Sequence, residues 1–112
     1  MTQIQSTYVD RLEHQLAQAK HRHPANNATI SRLCTKLGDQ YVRLGDIAKA
    51  ETVYAEAYEI RLSIYGPNHL RVAISLNGLA ICYIRQATTQ TTKRKCLLRQ
   101  AQRSLEEVLR IQ

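Results

Sequence analysis

Cys34-Thr35-Lys36-Leu37-Gly38-Asp39-Gln40-Tyr41 is answered 42 residues later by Leu76-Asn77-Gly78-Leu79-Ala80-Ile81-Cys82-Tyr83. Both copies keep an apolar residue, a leucine, a small residue and a tyrosine at the same four places. Ala50-x-x-x-Tyr54-x-x-Ala57 follows the first copy, and Ala101-x-x-x-Leu105-x-x-Val108 follows the second. A fixed period in this range marks a stacked repeat, because one such unit cannot bury its own apolar face. The chain therefore reads as a recognition scaffold built by stacking.

Working outward, the sequence divides into five helices and no strand. Residues 3 to 22 lack Gly and Pro, and Ile4, Tyr8, Leu12, Leu16 and Ala19 recur at helical spacing. His23-Pro24 ends that segment, since the residue before proline is biased away from helical angles. A second helix is expected over 28–44, with Ile30, Leu33, Cys34, Leu37, Tyr41 and Leu44 on one stripe. Gly45-Asp46 supplies a left-handed C-terminal position and a cap for the next helix. That third helix, 47–65, turns Ala50, Val53, Tyr54, Ala57, Ile60 and Ile64 inward. Gly66-Pro67-Asn68 stops it, and His69 is placed to cap a fourth helix over 70–86. Its stripe is Val72, Leu76, Leu79, Ala80 and Tyr83. The polar, β-branched run Ala87-Thr88-Thr89-Gln90-Thr91-Thr92 reads as a loop. A fifth helix, 93–111, carries Leu97, Ala101, Leu105, Val108 and Leu109. The fold class is all-α, an antiparallel helix-turn-helix solenoid.

The helical pair Leu37-Gly38-x-x-Tyr41 and Ala50-x-x-x-Tyr54-x-x-Ala57 resembles the tetratricopeptide repeat. The link Ile60-Arg61-Leu62-Ser63-Ile64-Tyr65-Gly66-Pro67-Asn68-His69, leading into Ser75-Leu76-Asn77-Gly78-Leu79-Ala80, is similar to the kinesin-light-chain subtype. The resemblance covers about residues 28 to 112. It implies one domain: a preceding helix or cap at 1–24, a first repeat at 28–67 and a second at 68–112. Gly38 and Ala80 are expected to be small because paired helices approach closely there. Between Tyr83 and Ala101 the second repeat holds nine residues more than the first, within 86–100.

In such repeats the first helices of successive units line a concave groove for an extended or helical peptide. Carried onto this sequence, the groove takes Arg32, Thr35, Asp39, Val42 and Arg43 from the first repeat. The second adds Ile74, Asn77, Ile81, Ile84 and Arg85. The set implies a protein partner with an apolar or amphipathic segment and acidic flanks. Family members that grip a C-terminal carboxylate use Lys and Asn where this chain has Thr35 and Asp39, so that activity is not expected.

Charge supplies a second candidate surface. The formal net charge is +7, yet no acid occurs from Ile60 to Leu105, where Arg61, Arg71, Arg85, Lys93, Arg94, Lys95, Arg99 and Arg103 stand. Lys93, Arg94 and Lys95, with Arg99 and Arg103 further along, form a basic ridge about 15 Å long. It suits an acidic protein surface or nucleic acid, or is simply a solvated face. No tyrosine follows Tyr83, so no aromatic is interleaved there for base stacking.

Other classes find little support. No stretch approaches the roughly 20 apolar residues of a membrane span, and Met1–Ser6 has no signal-peptide pattern. Cys34, Cys82 and Cys96 are odd in number without CxxC spacing, which suits a reduced, cytoplasmic chain. His14, His21 and His23 lack the partners of a metal set, no cofactor motif is present, and no nucleophile elbow or phosphate loop points to an enzyme. Two repeats and one extra helix fall short of the three or more units a solenoid usually needs, and Leu98 and Ile111 are left off the fifth stripe. Self-association, or completion by a partner, is therefore expected.

Overall fold

The computed structural model describes residues 2–22, 25–89 and 94–111, with side chains from residue 7 onward except Thr89. It contains α1 (Thr2–His21), α2 (Asn27–Leu44), α3 (Ile47–Tyr65), α4 (Leu70–Thr89) and α5 (Arg94–Ile111). Each helix packs on the next, and α2 also touches α4, so the first helices of the two repeats lie side by side. The radius of gyration is 14.6 Å and the extents are 41 × 37 × 20 Å. A globular chain of this length has a radius near 13 Å. The molecule is therefore a flattened stack, an all-α helical-repeat solenoid.

Local chemistry sets the breaks between helices. The Asn26 side chain accepts the Thr29 amide at 3.2 Å and so caps α2. Gly45 ends α2 at φ 84°, a left-handed conformation that only glycine adopts without strain. Asp46 then accepts the Lys49 amide at 3.4 Å to start α3. At the head of α4, His69 Nδ1 accepts the Arg71 amide at 3.1 Å, which gives His69 its capping role.

Tyr54 of α3 holds three helices in register. Its ring lies between two glycines: a Cβ on Gly38 of α2 would stand 2.5 Å from Cε1, and one on Gly78 of α4 would stand 2.8 Å from Cδ1. The Tyr54 hydroxyl donates to Asp39 Oδ1 at 2.6 Å. Around it, Ile30, Leu33, Cys34, Leu37, Tyr41, Ala50, Ala57, Leu79 and Cys82 form one buried cluster that also takes Val9, Leu12 and Leu16 of α1. A Lys20–Glu56 ion pair at 2.8 Å ties α1 to α3.

The structure corrects several expectations. Val9, not Tyr8, joins Leu12 and Leu16 in the core, and Tyr8 is exposed on the flank of that face. Leu44 and Ile64 are exposed at helix ends, and Arg61 is buried beside the α3 stripe. Arg61 Nη1 donates to the Arg71 carbonyl at 3.3 Å and to Ser75 Oγ at 3.1 Å. Burial lowers the pKa of its guanidinium, and the like charge of Arg71 lowers it further.

The first half of the run read as a loop, Ala87-Thr88-Thr89, is helical. α4 continues to Thr89, with Ala87 buried, and α5 begins at Arg94. Relative to the first repeat, α4 runs three residues further past its tyrosine and α5 starts four residues earlier before its alanine. Threonine is a weak helix former, but packing against α5 overrides that preference. Thr91, Thr92 and Lys93 lie outside the described residues, as does the His23-Pro24 break.

Candidate partner-binding surface

α2 and α4 lie side by side, and the ten residues expected in the groove divide into two groups. Arg32 and Arg43 of α2, and Ile74, Asn77, Ile81, Ile84 and Arg85 of α4, are exposed. The other three make contacts within the fold, although Asp39 also remains exposed. Asp39 accepts the Tyr54 hydroxyl, Thr35 Oγ1 donates to the Ser31 carbonyl at 2.9 Å, and Val42 is half-buried against the core.

The free residues of α4 share one face. Positions 74, 77, 81 and 84 recur at helical spacing, so three isoleucines and Asn77 form a strip along the helix. Ile74, Ile81 and Ile84 are 48%, 38% and 42% exposed. None of Arg32, Arg43 and Arg85 is in an ion pair among the described residues. An apolar strip with the unpaired Arg85 beside it on the same helix can receive an amphipathic segment bearing carboxylates.

The basic ridge occupies a helix rather than a loop. Arg94, Lys95, Arg99 and Arg103 are all exposed on α5. Lys93 lies outside the described residues. Glu107 pairs with Arg110 at 2.8 Å, and Arg110 also donates to Asn68 Oδ1 at 2.8 Å, which ties the end of α5 to the α3–α4 turn.

One surface was hidden from sequence reading. An open cleft of about 910 Å³ between α1 and α2 is lined by His14, His21, Arg22, Arg32 and Lys36 and by no carboxylate. His14 and His21 are seven residues apart on α1, and Arg32 and Lys36 four apart on α2. Only the antiparallel packing of those helices brings the two pairs to one cleft. Gly78 was also overlooked, although a glycine mid-helix costs about 1 kcal/mol and so signals a close approach.

Two thiols belong to the core. Burial pushes the Cys34 pKa up to about 12 and that of Cys82 to about 11, so both stay protonated and unreactive. Cys96 is exposed. Among the described residues no three His, Cys, Asp or Glu side chains could hold a metal ion, and no helix is long and apolar enough to cross a membrane.

Antiparallel helix pairs locked by small residues and tyrosine, with their first helices forming a shared face, define a helical-repeat scaffold. A family model described as tetratricopeptide repeat matches residues 29–91, more than half of the chain. The chain belongs to the tetratricopeptide repeat family, whose repeats generally mediate protein–protein interaction. The matched segment contains nearly all of α2, all of α3 and α4, and hence the whole Tyr54 junction. No curated protein and no solved structure gives a significant match.

Proposed function

We propose that this chain is a non-catalytic adaptor that binds a partner protein segment along the face shared by α2 and α4. Three exposed isoleucines on one strip of α4, with the exposed arginines Arg85 on the same helix and Arg32 and Arg43 on α2, carry this reading. The segment it fits is amphipathic, with apolar side chains on Ile74, Ile81 and Ile84 and carboxylates toward the arginines. Asn77, in the middle of the strip, can hold the partner's backbone through its amide.

The same reading divides the chain into an N-terminal helix at 1–24, a first repeat at 28–67 and a second at 68–112. It places the chain with the kinesin-light-chain-like repeats and in the cytoplasm, in keeping with buried, protonated thiols at Cys34 and Cys82. Binding selections from a random peptide library against the immobilised protein test it. Amphipathic sequences with acidic flanks are expected; selections that return no common pattern would contradict it.

A second reading gives the working role to Arg94, Lys95, Arg99 and Arg103, whose exposure on α5 suits phosphates. Single-stranded RNA and DNA oligonucleotides in the same binding assay separate the two. Oligonucleotide affinity that falls steeply with salt, without peptide affinity, would favour this reading.

A further inference from the structure

α5 reproduces, position for position, the surface on which α4 sits. Setting Ala101 on Ala50 places Leu98, Leu105, Val108 and Leu109 where α3 has Ile47, Tyr54, Ala57 and Tyr58. In α3 that face is covered: Tyr54 and Ala57 are buried, Ile47 and Tyr58 half-buried, and Gly78 of α4 rests on the Tyr54 ring. In α5 the three leucines of the same face are bare, with Val108 half-buried. Leu98 is 44%, Leu105 39% and Leu109 72% exposed. Among the described helices α5 packs on α4 alone. Leucines at i, i+7 and i+11 fall within about 40° of arc and make an apolar line roughly 16 Å long.

Charge identifies what covers it. Arg94, Lys95, Arg99 and Arg103 occupy the first part of α5, while Glu106 and Glu107 are the only acids after Glu59. Glu107 is spent on Arg110. Glu106 receives only the Gln102 amide, at 3.1 Å. Neither Glu106 nor Arg99 is in an ion pair among the described residues. Arg99 and Glu106 each follow a leucine of the line by one residue, so both border its same edge.

We infer that two copies of this chain associate through antiparallel α5 helices. A two-fold axis between Gln102 and Arg103 brings each Arg99 to the other copy's Glu106. Leu98 then enters between Leu105 and Leu109 of the other copy. A parallel pairing instead sets the basic halves together. The inference does not depend on the groove reading, since Ile74, Asn77 and Ile81 take no part. One helix face with its flanks is a small interface, on the order of 1,000 Å² in total. The dimer is accordingly weak and reversible, with a Kd of about 10 µM.

Sedimentation equilibrium from about 1 to about 100 µM brackets that affinity. The unmodified chain is expected to pass from monomer to dimer, and Leu105→Asp to remain monomeric. Arg99→Glu and Glu106→Arg, each alone, place like charges at both meetings and weaken the dimer about tenfold or more. An equimolar mixture of those two variants restores opposite signs at both meetings and regains the original strength, which also shows that both fold. A chain that stays monomeric throughout, as it would if another protein covers α5, overturns the proposal. So do single charge variants that dimerise normally, or a mixture no stronger than its components.

Discussion

Tyr54 touches three helices, and its two glycine neighbours show how little room that leaves. Gly78→Ala gains about 1 kcal/mol of helix propensity. Its methyl group, however, meets a ring already held by Gly38 on the opposite side. Overpacking of this kind costs about 1–3 kcal/mol. We therefore expect Gly78→Ala to lower stability in urea denaturation; an increase would show that the ring moves freely. The buried thiols make a second prediction. The folded pKa values of Cys34 and Cys82 lie above the unfolded value of 9.0, so the folded state keeps protons that the unfolded state loses. Their contribution is fully present below pH 9 and is lost as pH rises through about 11 to 12. Denaturation midpoints should be level up to pH 9 and fall above it, less steeply in Cys82→Ala. In the native state a thiol reagent should label Cys96 promptly and the other two slowly.

Among the elements, what was legible in sequence was what local chemistry decides. The Gly45-Asp46 turn, the His69 cap and the α2 stripe as far as Tyr41 each depend on residues a few places apart, and each stands where the spacing put it. The end of α4 does not. Whether Ala87-Thr88-Thr89 is helix or loop depends on α5 lying alongside, which no local pattern records. Ala87→Asp tests this directly: a loop tolerates the change, whereas the buried helical position should lose about 2 kcal/mol or more. A thermal melt identical to that of the unmodified chain would return Ala87 to a loop. The exposed flank of α5 has the same origin. Leu105 and Leu109 read as core because their helical spacing is right, but spacing cannot say whether a neighbouring helix is there to cover them.

The whole molecule is a short stack with an unequal charge distribution, and its surfaces divide the work. The α2–α4 face combines an apolar strip with exposed arginines, the α5 flank is an apolar line edged by complementary charges, and the α1–α2 cleft carries Arg22, Arg32 and Lys36 with no carboxylate. Eight of the ten groove residues anticipated from the repeat pattern are exposed, Asp39 among them although its Oδ1 holds the Tyr54 hydroxyl. Asp39 accepts the Tyr54 hydroxyl and Val42 packs on the core, tertiary facts absent from any periodic pattern, whereas Thr35 is held locally by the Ser31 carbonyl one turn back in α2. Asn77→Ala combined with Ile81→Asp alters the strip without touching the Tyr54 junction. The central claim is tested most directly by the affinity of a library-selected peptide for this double variant, beside one carrying Arg94→Glu and Lys95→Glu. The account predicts at least a tenfold loss with the first, roughly 1.4 kcal/mol or more, and little change with the second. Undiminished binding to the groove variant, with loss on the α5 variant, would contradict it.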